Sequence, residues 1–167
     1  MKHLRTILLF AGLVLVLAAT NLNIVGKARV IQHGRPVLLE LRPVDPRSLI
    51  QGDYMQLRYA SKAFPSRDTA TTWPRKGTVV LQLDDHQVGT YARQDDGSQL
   101  ADNEVRLQYR YMTLWGELRY GAEAFYFQEG KAAVYQEARY GVLRVNASGT
   151  SVLVGLADKN HRLIQAE

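Results

Sequence analysis

The first 25 residues constrain this chain more than any other part of its sequence. A short head with Lys2 and Arg5 precedes the apolar run ILLFAGLVLVLAAT, residues 7–20, and NLNIV continues it to Val25. A basic head followed by an apolar stretch is typical of a secretory signal or a signal anchor. The 19 residues from 7 to 25 are long enough to cross a bilayer when Asn21 and Asn23 lie at its far interface.

We predict an uncleaved transmembrane signal anchor over residues 7–25, a cytoplasmic basic head at 1–6 and one extracytoplasmic domain at 27–167. The alternative is a cleaved signal peptide. The strictly apolar run is only 14 residues long, and Val16 and Ala18 suit a cleavage site after Ala18. In both cases the positively charged head stays in the cytoplasm and the rest of the chain is exported.

Composition limits what the exported part can be. The chain has 167 residues, of which 46% are hydrophobic and 22% charged, which is enough for one core but not for two. It has no cysteine, which excludes thiol catalysis and thiolate metal sites. The formal charge is +5, and removing Lys2 and Arg5 leaves 5 − 2 = +3 for the exported part. We expect no nucleic-acid partner.

The exported part is rich in strand patterns. TVVLQLDD and HQVGTYARQ predict a hairpin that turns at Asp84-Asp85, and YGVLRVN and TSVLVGLA predict a closing hairpin. EVRLQYRYM alternates apolar and polar residues and predicts a half-buried strand. KARVIQHGRPVLLELRP, residues 27–43, is interpreted as two short strands broken at His33-Gly34, and WGELRYGAEAFYF as a strand that bends at Gly121.

GKAAVYQEARY, residues 130–140, is rich in alanine and free of proline, which predicts a helix. Strands outnumber helices heavily. The predicted fold class is therefore α+β, mainly antiparallel β as a sheet or partly open barrel, with one packed helix and a preceding N-terminal transmembrane helix.

The stretch GDYMQLRY combines a turn with a strand. Gly52 can adopt a positive φ and Asp53 can hydrogen-bond nearby backbone, which suits a tight turn. Alternation then places Met55, Leu57 and Tyr59 on one face, where we expect the core, and leaves Tyr54 on the more polar face.

GDYMQLRY fits letter for letter the motif that names the bacterial GDYXXLXY family, with Gly52, Asp53, Tyr54, Leu57 and Tyr59 at the named positions. The flanking segments PVDPRSLIQGDYM (43–55) and EGKAAVYQEARYGVLRV (129–145) also resemble that family. The resemblance implies a small protein with one N-terminal membrane-spanning segment, and so supports the uncleaved anchor. The family name describes a pattern rather than an activity, so it assigns no catalytic residue.

The leading functional hypothesis is a non-enzymatic accessory domain that docks onto another envelope membrane protein. Asp45, Arg47, Asp53 and Tyr54 are the candidate binding residues, because they can converge beside one corner of the sheet. The expected docking face comprises residues 43–54 and the long loop 61–77. The expected location is the bacterial inner membrane, single-pass, with the N-terminus in the cytoplasm, the domain in the periplasm and residues 7–25 in the lipid bilayer.

Two other functions remain open. An envelope hydrolase would use carboxylates such as Asp53 and Glu129, whereas an envelope-polymer-binding module would carry exposed tyrosines in a row. The four histidines are scattered without ligand spacing, so we expect neither a metal nor a cofactor. The Gly-Asp of the serine segment of type I signal peptidases can be aligned with Gly52-Asp53. The position of the nucleophilic serine then falls on Val44, which has no hydroxyl, so we do not expect peptidase activity.

Overall fold

The computed structural model describes residues 2–42, 50–51, 54–65, 73–112 and 117–165. Over these residues the predicted α+β class, mainly antiparallel and with an apolar N-terminal helix, is confirmed; the strands form three sheets and no closed barrel, and the second helix is short. The elements are α1 (Lys2–His33), β1 (Arg35–Glu40), β2 (Ile50–Gln51), β3 (Tyr54–Gln56), a 3-10 turn (Ser61–Ala63), β4 (Lys76–Leu83), β5 (Gly89–Gln94), β6 (Glu104–Met112), β7 (Glu117–Arg119), β8 (Ala124–Tyr126), α2 (Ala132–Tyr135), β9 (Tyr140–Val145) and β10 (Ser151–Ala157).

Helix α1 is the one helix of the described chain that is long and apolar enough to cross a membrane. Its candidate span, residues 10–33, contains an apolar window with a mean hydropathy of 1.6 that is not buried against the rest of the protein, and only the C-terminal end of the span packs on the sheets, through the buried Val30. The helix continues past Val25, so the interpretation of residues 27–33 as a strand is wrong. Lys27, Ala28 and Arg29 favour a helix, and extending an existing helix costs less than starting a new element.

Three polar side chains of α1 donate hydrogen bonds to carbonyls of the helix itself. The hydroxyl of Thr20 donates to the carbonyl of Val16 at 2.8 Å. The side-chain amides of Asn21 and Asn23 donate in the same way to the carbonyls four residues earlier, at 2.8 and 2.9 Å. The helix therefore presents an apolar surface without unpaired donors at these positions.

Helix α1 joins the first sheet without a linker. The amide of Gly34 donates to the carbonyl of Val30 at 2.8 Å, and Nη1 of Arg144 donates to the Gly34 carbonyl at 3.1 Å. A Cβ atom at position 34 would lie 2.9 Å from the backbone nitrogen of Val145, so only glycine fits between the helix end and β9. Strand β1 begins at the next residue, Arg35.

The strands form three sheets, with the orders β1-β9-β10, β2-β3-β8 and β5-β4-β6-β7. The hairpins β4–β5 and β9–β10 are confirmed, and β6 spans the nine residues of EVRLQYRYM. The predicted bend at Gly121 separates β7 from β8, which belong to different sheets. One continuous core joins the sheets, and five of its strands each contribute a fully buried leucine: Leu39, Leu81, Leu107, Leu143 and Leu156.

Three tight turns share one hydrogen-bond pattern: 84–88, 146–150 and 158–162. In each, a side-chain oxygen of the first residue accepts from the amides two and four residues later. The fourth residue adopts a left-handed conformation in all three, at Gln87, Gly149 and His161. The first and third turns meet where His86 stacks on His161 with ring centroids 4.5 Å apart.

The helix predicted over 130–140 is much shorter than expected. Only Ala132–Tyr135 is helical, and the chain then leaves the helix to pair with two strands. The amide of Arg139 donates to Ala157, while its carbonyl accepts from Leu41, both at 2.8 Å. Long-range pairing and the burial of Tyr135 thus outweigh the local helix propensity of this alanine-rich segment.

Candidate functional site

The second half of the GDYMQLRY stretch belongs to the core. Met55, Leu57 and Tyr59 are only 2–3% exposed, whereas Gln56 and Arg58 face solvent. The predicted alternation is therefore confirmed for this strand. It gives Leu57 and Tyr59 a structural role, because both side chains pack inside the common cluster.

The stretch is joined to a segment far along the chain. Tyr54, Met55 and Gln56 pair with the three residues of β8 in antiparallel register. The amide of Leu57 donates to the Glu123 carbonyl at 2.8 Å. The Tyr59 hydroxyl donates to the buried carbonyl of Ala122. The motif thus holds residues 122–126 against the sheet.

The hydroxyl of Tyr59 is held in its neutral form. Burial, and secondarily the charge of Glu123, raise the pKa of Tyr59 far above its usual value of about 10. A group in this state donates a hydrogen bond but does not shuttle protons near neutral pH. Tyr59 is therefore a structural residue rather than an acid or base.

A second buried tyrosine repeats this arrangement. The Tyr120 hydroxyl donates to the carbonyl of Ala63 at the end of the 3-10 turn, and its ring stacks on Phe64 with centroids 5.0 Å apart. Burial raises the pKa of Tyr120 as well. The loop predicted over 61–77 is thus anchored at residues 63–64, while residues 66–72 lie outside the described chain.

Tyr54 is the one candidate binding residue inside the described chain. Its side chain is half-buried, and its ring lies 5.6 Å from that of its register partner Tyr126. Tyr126 is 74% exposed, the largest exposed fraction among the tyrosines described. The two rings form an aromatic patch on the outer face of the β2-β3-β8 sheet.

The other predicted site residues, Asp45, Arg47, Gly52 and Asp53, lie outside the described residues.

The described carboxylates do not assemble into a centre. Glu129, proposed for the hydrolase alternative, is exposed in the turn before α2. Glu123 is half-buried and accepts from the amide of Gly121 at 3.0 Å. Across the described ranges, no three histidines, aspartates or glutamates lie close enough to hold a metal ion.

A row of three cationic side chains crosses the β5-β4-β6-β7 sheet, and it was not predicted from the sequence. Lys76 of β4 lies opposite Arg110 of β6, which lies opposite Arg119 of β7. All three side chains are exposed and line an open groove of about 740 Å³. The alternation of β6 predicts an outward-facing Arg110, but only the register between three strands brings the cations together.

These features define an α+β domain of antiparallel sheets, joined without a linker to an exposed apolar helix. The chain belongs to the GDYXXLXY protein family, whose model matches residues 16–156. The match begins within α1 and ends in β10, so the family pattern includes the junction as well as the sheets. No curated protein and no solved structure matches the chain significantly.

Proposed function

We propose that the protein is a membrane-anchored, non-enzymatic accessory domain that docks onto another membrane protein of the bacterial envelope. Residues 7–25 are its signal anchor in the inner membrane, with the head in the cytoplasm and the domain in the periplasm. The exposed apolar surface of α1 and the internal bonds of Thr20, Asn21 and Asn23 support the anchor. The basic residues Lys2 and Arg5 support its orientation.

The observation that carries the docking proposal is the pair Tyr54–Tyr126. An aromatic ring that is 74% exposed leaves apolar surface in water, which costs free energy in the isolated chain. Tyrosine is enriched at protein interfaces because it combines an apolar body with a polar tip. Among the described strands Tyr126 also lies on an edge strand, β8, and edge strands are the places where a partner chain can add backbone hydrogen bonds.

The tether favours a partner in the same membrane. A domain fixed to the bilayer meets integral membrane proteins at a high effective concentration, so a modest contact area is enough for stable docking. A multi-span membrane protein with a loop on the same side is therefore the partner that we propose.

Site-specific crosslinking tests the docking surface. A photoreactive phenylalanine replaces Tyr126 in native membranes, and a control chain carries it at Ala92, an exposed position on β5. We expect one dominant integral membrane protein to be captured from position 126 and not from position 92. That protein should co-purify with the wild-type chain and be lost with Tyr126→Ser, whose melting temperature should stay close to that of wild type. Identical captures from both positions, or none from position 126, would exclude this face as a docking surface.

The anchor is tested separately. The full chain should stay in the membrane fraction after alkaline carbonate extraction, without loss of its N-terminal residues, and external protease should digest the domain in spheroplasts. A shortened, soluble chain would show that the N-terminal segment is a cleaved signal. A protected domain would reverse the proposed topology.

A further inference from the structure

The row formed by Lys76, Arg110 and Arg119 is called the cation row below. Directly opposite residues of an antiparallel pair point to the same face, so the three side chains project together from the third sheet. Adjacent strands are about 4.8 Å apart, which brings like charges within mutual reach.

Like charges directly opposite one another destabilise a sheet. Other arginines of the same sheet avoid this cost because each forms an ion pair with an acidic side chain. Arg106, on the same strand as Arg110, pairs with Asp95 at 2.9 Å, and Arg93 pairs with Glu104 at 2.9 Å. No described acid forms an ion pair with any member of the cation row. Within the described part of the chain the row therefore has no direct ion-pair partner, and the one acidic residue that lines the same groove is Glu123.

We propose that the groove over the cation row binds a ligand that carries several phosphate groups. Two guanidinium groups and one ammonium group offer the donors that phosphate oxygens accept, and arginine can do so through two parallel bonds. Thr150 and Ser151 also line the groove, where the Ser151 hydroxyl donates to the Tyr120 carbonyl at 3.4 Å. The groove volume of about 740 Å³ lies within the range of small-molecule sites.

This inference goes beyond the proposed docking function. The phosphate site lies on β4, β6 and β7, and its ligand is anionic. The aromatic patch of Tyr54 and Tyr126, which carries the docking proposal, lies on β3 and β8. Two sources supply the same chemistry: a free oligophosphate, and a stretch of a phosphate-linked envelope polymer.

Calorimetric titration of the full chain in a zwitterionic detergent with tripolyphosphate tests the site. Wild type should bind, and Arg110→Gln should weaken binding by about ten- to a hundred-fold, as expected for the loss of one charge-assisted contact. Arg119→Gln should act in the same direction. Arg139→Gln, an exposed arginine at the α2 exit, is the matched control and should bind like wild type. The unliganded Arg110→Gln chain should melt no lower than wild type, because the substitution removes repulsion.

Two further titrations define the ligand. Citrate should bind much more weakly than tripolyphosphate if phosphate, rather than charge alone, is recognised. Competition by poly(glycerol phosphate) would indicate the polymer as the source, and its failure would indicate a free oligophosphate. Absence of tripolyphosphate binding, or equal binding by wild type and Arg110→Gln, would refute the proposal.

Discussion

The hydroxyl of Tyr59 donates a hydrogen bond to the carbonyl of Ala122, 63 residues further along the chain. The ring also lies close to Gly141, where a Cβ atom would be 3.1 Å from one ring carbon. The Tyr59 side chain thereby connects its own segment, which follows β3, with the segment before β8 and with the start of β9. Tyr59, the last tyrosine of the motif, thus makes core contacts between segments that are far apart in the sequence.

Tyr59→Phe should lower the free energy of unfolding by about 1–3 kcal/mol, because the buried Ala122 carbonyl loses its partner. Urea denaturation of the full chain in detergent micelles measures this loss. Tyr111→Phe is the matched control, since Tyr111 is half-buried and donates no such bond to any described residue; it should change stability by less than about 0.5 kcal/mol. Equal losses in the two variants would contradict the role assigned to the Tyr59 hydroxyl.

Leu57→Ala should cost about 2–5 kcal/mol, because it opens a cavity in a cluster where the leucine is only 3% exposed. The same denaturation experiment measures this. Leu163→Ala removes the same atoms from a side chain that is 51% exposed, and should cost less than about 1 kcal/mol. A Leu57→Ala chain as stable as wild type would show that the core assignment is wrong.

Alkaline pH should unfold the domain through its buried tyrosines. Their pKa values in the folded state are raised, so the folded chain holds more protons than the unfolded chain above the unfolded pKa. Stability is therefore complete below about pH 10 and falls as the pH rises beyond it, by about 1.4 kcal/mol per pH unit for each such tyrosine. Urea midpoints measured across this range should fall less steeply for Tyr120→Phe than for wild type, and identical slopes would contradict the assignment.

Gly149→Ala should destabilise the β9–β10 hairpin by about 1–3 kcal/mol. The residue has φ +84°, and an added Cβ would lie 3.2 Å from the amide nitrogen of Gln108. Gly97→Ala serves as the control, because Gly97 has φ +82° but nothing within 4 Å of the added atom. The difference between the two thermal shifts isolates the steric contact from the backbone strain, and a larger loss at Gly97 would overturn this comparison.

The sequence predicts the sheet elements better than the helices. Alternation identifies β6, which has one buried face, whereas strand-like apolar runs between turn residues identify the two hairpins, in which β4 and β10 bury consecutive residues; both signals are local. The predictions of a strand at 27–33 and of a helix at 130–140 are wrong for opposite reasons. The first continues a helix nucleated upstream, and the second gives up helical residues so that Arg139 can pair with two strands.

The site is less accessible to sequence reasoning. Tyr54 is correctly predicted on the more polar face, yet its neighbour Tyr126, whose ring is tilted against it, can be found only from the register of β3 with β8. The cation row depends on two registers at once. Neither the Tyr54–Tyr126 contact nor the cation row leaves a pattern in the local sequence, because strand pairing and register depend on the whole fold.

The junction at Gly34 has a mechanical consequence. Only Gly34 lies between α1 and β1, and Arg144 donates to its carbonyl, so we expect the helix and the sheet to tilt together. A helix whose apolar length exceeds the local bilayer thickness tilts to match it. In a membrane, each such tilt would swing the Tyr54–Tyr126 patch and the cation row by the same angle. Bilayer thickness would then set the direction in which both surfaces face.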